Sequence, residues 1–283
     1  MVNLYPIQKV LSYDKFKANK NNKITNPYAI MVKEDGWYVY IDFFDGKTEG
    51  LKSSGNRVIP SLKYLSDKLA KIKPVHDCRI IFEATILGLK FHETNGILNR
   101  KYEQAENVIL NLHDMVEFEF WKTPFINRYE KVDKQLFEDV LEDQFNLIPI
   151  LETTNKEDTF TEWFEQLTSI GSEGIVLKNI NSGYSFGKRN SDVMKIKEEV
   201  TEDCIVLDII EGQGKYKDTA GALVVARENG VVIQVSGMTD AQREDWWFNR
   251  DNILHKYVEV KAMKELPDGT LREPRFKAVR YDK

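Results

Sequence analysis

The sequence predicts an α+β chain of two domains. The larger is made of antiparallel sheets with flanking helices, and the smaller is a C-terminal β-barrel. Three observations predict this. A length of 283 residues suits about two domains, each with its own core. Up to residue 198, strand-like apolar runs alternate with helical patterns, whereas beyond 203 short strands follow one another between glycines. Between these regions lies the charged stretch Glu198-Glu199-Val200-Thr201-Glu202-Asp203. The expected domains are therefore 1–198 and 204–283, with a hinge linker at 199–203.

Composition narrows the class. With 42% hydrophobic and 30% charged residues, the chain is of the soluble globular kind. No apolar run approaches about 18 residues, so no membrane partner is expected. The N-terminus has no signal-peptide pattern. Cys78 and Cys204, the two cysteines, sit in strand-like surroundings. They suggest a reducing cytoplasm and buried structural roles rather than disulfides or a metal site. The four histidines show no zinc spacing. The net charge of −5 does not advertise nucleic-acid binding, but the charge is uneven. Residues 1–33 carry six lysines against one acid, Asp14, while 128–165 is crowded with acids. Such a chain can hold a polyanion on a basic face with an acidic face turned away. Two solvated surfaces explain the pattern equally well.

Residues 6–20 read as a short helix with Ile7, Val10, Leu11 and Phe16 as apolar contacts. Strands at 28–32 and 38–41 flank Lys33-Glu34-Asp35-Gly36, which reads as a tight Asp-Gly turn. A second Asp-Gly turn falls at 45–46, and 52–56 is a small polar loop. A helix at 60–69 places Leu62, Leu65 and Leu69 on one face. The strand 79–87 carries one acid, Glu83, which is costly to bury without a partner and so points to a ligand or a polar site. A short helix at 100–107, a strand at 108–116 ending near His113 and Asp114, and acidic helices at 128–143 and 156–169 follow. Gly171-Ser172-Glu173-Gly174 leads into another strand. In Asp192-Val193-Met194-Lys195-Ile196-Lys197 both lysines point to one strand face. They repel unless an anion lies between them, or else they blunt a solvated edge. Strands at 204–211, 221–227, 230–236 and 257–263, a helix at 239–248 and a final cation-rich segment suggest a barrel of OB type.

An amine at a strand end, isolated acids in strands, a lysine pair and a basic tail are the parts that phosphoryl or nucleotidyl transfer needs. The amine attacks phosphorus, which requires it to be neutral. Cations neutralise the phosphate oxygens, and acids hold Mg²⁺ or grip a ribose. Neither a P-loop nor a dinucleotide-binding Gly-x-Gly-x-x-Gly in strand-turn-helix context is present. Gly212-Gln213-Gly214-Lys215 lacks that context.

In this order the motifs resemble those of ATP-dependent DNA ligases of the compact bacteriophage and bacterial type. Lys33-Glu34-Asp35-Gly36 looks like the adenylated Lys-x-Asp-Gly motif. Phe82-Glu83 sits at the third motif, and His113-Asp114-Met115-Val116 with Arg128 resembles the next. Glu173-Gly174-Ile175-Val176-Leu177-Lys178, Lys195-Ile196-Lys197 and Arg280-Tyr281-Asp282-Lys283 match the last three. Gly212-Gln213-Gly214-Lys215 and Ser236-Gly237-Met238-Thr239-Asp240 are similar to the family's barrel segments.

The resemblance implies a nucleotidyltransferase (adenylation) domain followed by an OB-fold domain. It implies that Lys33 carries AMP and that Asp35 orients it or touches the nick. Glu83 would hold the ribose, His113 would contact adenine, and Lys178 would belong to the nucleotide site. Lys195 and Lys197 would hold the α-phosphate. Glu173 and Asp282 would serve Mg²⁺ (or Mn²⁺), and Arg280 and Lys283 would orient pyrophosphate. ATP and nicked duplex DNA are the implied partners of a cytoplasmic monomer, with Lys52, Arg57, Lys215 and Lys217 toward the nucleic acid.

The chain departs from the family in three places. Tyr38 stands where arginine is usual. Lys52-Ser53-Ser54-Gly55 replaces a Ser-Arg-x-Gly-like loop, so Lys52 or Arg57 would take the arginine's place. His113 replaces a phenylalanine and adds a proton that can make nucleotide binding depend on pH. RNA ligases, capping guanylyltransferases and a non-catalytic nucleic-acid-binding protein are the competing readings.

Overall fold

The computed structural model describes residues 5–89, 91–266 and 268–281, with Phe91 and His92 as backbone only. Contacts divide the chain into two units, Met1–Ile196 and Lys197–Lys283.

Among the described residues, the first unit holds ten strands: β1 (Lys9–Ser12), β2 (Tyr28–Val32), β3 (Trp37–Phe43), β4 (Lys52–Ser53), β5 (Cys78–Ile86), β6 (Val108–Glu117), β7 (Phe145–Leu147), β8 (Ile150–Thr154), β9 (Gly174–Asn179) and β10 (Arg189–Lys197). They form two five-stranded sheets, ordered β1-β10-β9-β2-β8 and β4-β3-β5-β6-β7. Its helices are α1 (Tyr13–Ala18), α2 (Lys63–Leu69), α3 (Phe91–Leu98), α4 (Phe125–Glu130), α5 (Lys134–Leu141) and α6 (Glu157–Ser169).

Strand alternation builds the layers. In the first sheet Tyr28, Ile30, Ile175, Leu177 and Met194 pack with Phe16 of α1 and Phe160 of α6. Their neighbours Ala29 and Met31 turn to the other face, against Phe125 and Ile148. In the second sheet Val39, Ile41, Phe43, Ile80 and Phe82 pack with residues of α2 and α5. Tyr40, Ile81 and Val116 turn to the opposite face, against Tyr184.

The 33–36 segment is not the turn of a hairpin, as expected from its flanks. β2 and β3 lie in different sheets. Val32 pairs with Ile175, and the Lys33 N–H donates to the Gly174 carbonyl at 3.0 Å, while Trp37 pairs with Ala84. Four residues carry the chain from one sheet to the other. Gly36 is required there, because a Cβ would stand 2.5 Å from the Ala84 carbonyl oxygen.

Other expectations change as well. The helix at 6–20 is a strand, β1, followed by α1; parallel pairing of β1 with β10 outweighs the local pattern. Residues 100–107 are not helical. The Ala105 N–H bonds to Ser61 O, Asn107 takes a positive φ of 54°, and the helix lies earlier, as α3. Lys52 and Ser53 are strand rather than loop.

The second unit contains β11 (Val200–Glu211), β12 (Ala220–Ala226), β13 (Val232–Val235), β14 (Tyr257–Ala262), β15 (Lys264–Glu265), β16 (Leu271–Arg272) and β17 (Arg275–Arg280), with α7 (Asp240–Phe248). Its main sheet runs β13-β12-β11-β14-β17. The edges meet at one bridge, Ser236 with Arg275, short of a closed barrel. A capping box of Thr239 and Gln242 starts α7, and Trp246 packs edge-on against Phe276.

The linker expected at 199–203 is mostly strand. Val200 to Asp203 pair with Ala262 to Glu259. Its acids are engaged in ion pairs: Glu202 takes a bidentate contact from Arg227 at 2.6 and 2.9 Å, Glu199 pairs with Lys261, and Asp203 pairs with Arg280. Cys78 and Cys204 are free and buried. No described helix is long and apolar enough to cross a membrane.

Candidate active site

The inner faces of the first unit's two sheets enclose a cavity of about 250 Å³. Lys33 reaches it from the end of β2, one alternation step beyond Met31. Its Nζ lies 2.6 Å from Glu173 Oε2 and 3.5 Å from Glu34 O. Glu173 stands just before β9, where Gly174 has φ 145°.

Glu83 comes from β5 opposite Tyr38 and lines the same cavity. Burial pushes its carboxyl up to about 7; Lys33 opposes this, and the charges of Glu173 and Asp35 add to it. Burial likewise raises Glu34, against the pull of Lys33.

His113 owes its position to a bulge. Ile81 pairs with Asp114 and Phe82 with Leu112, so His113 is the extra residue of β6. The bulge reverses the alternation and turns both His113 and Asp114 inward. Lys178, on β9 beyond Val176, donates to His113 O at 2.5 Å and lies 3.2 Å from His113 Nδ1. Its Nζ is 3.6 Å from Asp114, which Arg128 grips through two bonds of 3.0 Å. Burial pushes Lys178 down to about 8, with Asp114 opposing. Burial and then the Lys178 charge push His113 down to about 3. Burial favours neutral Asp114, but Arg128 and Lys178 outweigh it and hold its carboxyl low. Lys195 enters from β10 beside Val193, while Met194 between them points into the core.

The arrangement is an amine beside a carboxylate, with Lys178 and Lys195 and the apolar side chains of Met31, Ile148 and Val176 lining the same cavity. A family profile described as "ATP dependent DNA ligase domain" matches residues 18–197, and one described as "DNA ligase OB-like domain" matches 211–280. The chain belongs to the ATP-dependent DNA ligases. A probable DNA ligase of Dictyoglomus thermophilum is 30% identical over 287 residues, covering 92% of this chain and 47% of that protein. A DNA ligase of Methanocaldococcus jannaschii is 25% identical over 225 residues, 70% of this chain and 37% of that one. The chain thus spans less than half the length of either relative. A solved Lig E DNA ligase, from work on DNA binding with a minimal scaffold, has a TM-score of 0.72 at 22% identity. That likeness covers 97% of this chain and 98% of the other, and speaks to the fold.

Against the ligase motifs, the structure brings Lys33, Glu83, His113, Glu173, Lys178 and Lys195 together. Lys197 shares a strand face with Lys195 but does not line the cavity. Asp35 lies in the crossing segment, close enough for its charge to act on Glu83. Lys52 pairs with Tyr40 across β3 and β4, and its ammonium is held by Glu49 at 2.6 Å. Arg57, Lys215 and Lys217 are exposed. Arg280, in the second unit, pairs with Asp203 and Glu259 at 3.3 and 3.6 Å. Asp282 and Lys283 lie outside the described residues.

The pH dependence expected through His113 is corrected: burial keeps this imidazole neutral throughout the physiological range. At the arginine position of the ligase motif, the Tyr38 ring lines the cavity, 6.0 Å from the His113 ring. Glu34, Val10 and Ile148 are lining residues that escaped sequence reasoning. Glu34 read as a turn residue, and Val10 arrives through parallel edge pairing that leaves no local signal.

Proposed function

We propose that the chain seals 5′-phosphate/3′-hydroxyl nicks in duplex DNA with ATP, through an AMP carried on Lys33. The observation that carries this reading is the 2.6 Å contact of Lys33 Nζ with Glu173 at a cavity also lined by Glu83, His113 and Lys195. Adenine would lie between neutral His113 and the apolar wall of Met31, Ile148 and Val176. Glu83 would accept from a ribose hydroxyl. Lys178 fixes the His113 backbone and ring, so its part in the nucleotide site is indirect. Lys195, with Lys197 beyond it, would meet the phosphates.

The Lys33 amine attacks the α-phosphorus, and the bond to pyrophosphate breaks as the nitrogen–phosphorus bond forms. Attack requires the amine to lose a proton, and Glu173 is the carboxylate within hydrogen-bond reach. A DNA 5′-phosphate then takes AMP from Lys33, and the adjacent 3′-hydroxyl displaces AMP. Asp35 would orient the nick end, and Lys52, Arg57, Lys215 and Lys217 would meet DNA phosphates. Arg280 and Lys283 would orient pyrophosphate.

The oxygen donors fit a hard cation. Glu173 can hold Mg²⁺ (or Mn²⁺) together with phosphate oxygens, as this ion binds through one or two carboxylates plus substrate. When bound, the ion would supply positive charge at the phosphates. Asp282 would be its ligand in the second unit.

The hinge of the two-domain reading would fall at Glu198 and Glu199, the two residues between β10 and β11, rather than across all of 199–203. The protein acts as a monomer in the cytoplasm, the host's if it is viral. Labelled ATP and GTP, with nicked DNA and nicked RNA, test the reading. Label from ATP and faster sealing of DNA are expected. Label from GTP alone, or a strong preference for the RNA nick, overturns it.

A further inference from the structure

We infer that Arg243 and Tyr216 form a brace that fixes the basic loop 212–219 of the second unit, so that Lys215 and Lys217 meet the DNA backbone as one rigid pair. This rests on the nick-sealing reading. The loop leaves β11 after Glu211 and enters β12 at Ala220. Its base is closed by Gly212 N–H donating to Thr219 O at 2.9 Å. A Cβ on Gly221 would stand 2.6 Å from the Gly212 Cα, so only glycines permit this approach. Inside the loop, the Tyr216 carbonyl accepts from both the N–H and the hydroxyl of Thr219, at 3.1 and 2.8 Å.

The brace comes from α7. Arg243 is only 6% exposed, and its Nη1 donates to Ala220 O at 2.5 Å and Gly221 O at 2.8 Å. Its guanidinium carbon lies 4.3 Å from the centre of the Tyr216 ring, and the Lys215 ammonium lies 4.4 Å from the same centre. One ring thus joins a buried cation to an exposed one.

No carboxylate forms an ion pair with Arg243 among the described residues, although Asp240 is near Lys215 and Glu211 accepts from Asp218 N. The arginine is held by carbonyls and a ring, and the two lysines of the loop it steadies stand exposed. That combination suits a phosphate chain. A braced loop loses little freedom on binding, whereas a loose one must be ordered at the cost of affinity. Arg243 is a positioning residue in this account.

The test is titration of nicked duplex DNA at several salt concentrations, using the full chain. K215A/K217A is expected to flatten the slope of log K against log salt by about 1.8. R243A is expected to weaken binding severalfold in the wild-type background and to have no further effect in the K215A/K217A background. R243K keeps the charge but loses the fork, and is expected to behave as R243A. If R243A does not fold, Y216L removes the ring, leaves the Arg243 hydrogen bonds, and supplies the same comparison. An unchanged slope in K215A/K217A, an equal loss from R243A in both backgrounds, or full rescue by R243K overturns the brace. The wild-type AMP adduct on Lys33 separates the two readings: its absence overturns nick sealing, whereas an adduct with an unchanged slope overturns only the brace.

Discussion

Glu83 has its carboxyl raised from the ordinary 4.5 to about 7 by burial. A raised acid contributes stability below its unfolded pKa and loses it as pH rises through the folded value. Glu83→Gln is therefore expected to gain stability over the wild type between pH 5 and pH 8, by up to about 3 kcal/mol. Urea melts at the two pH values check this, and an equal difference at both contradicts it. His113 has the opposite sign. Its pKa is depressed from 6.5 to about 3, so its contribution is present above the unfolded value and is lost as pH falls toward 3. His113→Phe is expected to remove that part of the acid limb. Arg128 and Asp114 are both nearly buried. Arg128→Ala strips the buried Asp114 carboxylate of its two-bond partner, leaving the Lys178 ammonium at 3.6 Å, and is expected to cost about 3–5 kcal/mol in chemical denaturation. Lys33, Glu83 and Glu173 drew notice in the sequence because six motifs stand in the ligase order; taken alone, a lysine beside Asp-Gly reads as the surface residue of an ordinary hairpin. Glu34 drew none, since its burial arises only when two sheets close around it.

The decisive element is the 33–36 crossing. Its flanks are strands, as their composition predicts, but nothing local says that they enter different sheets. Pairing partners far along the chain, Ile175 for Val32 and Ala84 for Trp37, decide that. Gly36→Ala is expected to push the crossing away from β5 and to slow adduct formation more than it lowers the melting temperature. Equal, small effects on both contradict this. The bulge at His113 was likewise invisible, because the extra residue is defined only against β5. β1 was misread because its parallel partner lies some 180 residues away (Lys9 with Arg189). The core strands were easier: Phe82 is fully buried against Phe137, and Phe82→Ala is expected to cost about 3–5 kcal/mol.

For the whole molecule, the change of pattern near residue 198 led to an expectation of two domains, and contacts divide the chain into Met1–Ile196 and Lys197–Lys283. The charged stretch read as a linker, but Glu199, Glu202 and Asp203 serve as ion-pair partners within the second unit. With −5 overall, any DNA affinity must come from local cations, and binding is expected to fall steeply with salt. The central claim is that Lys33 carries AMP, and intact mass after mixing with ATP and Mg²⁺, followed by peptide mapping, tests it most directly. The account predicts a gain of one AMP located on Lys33 and absent from Lys33→Ala. No mass gain, or an adduct that persists in Lys33→Ala, would contradict it.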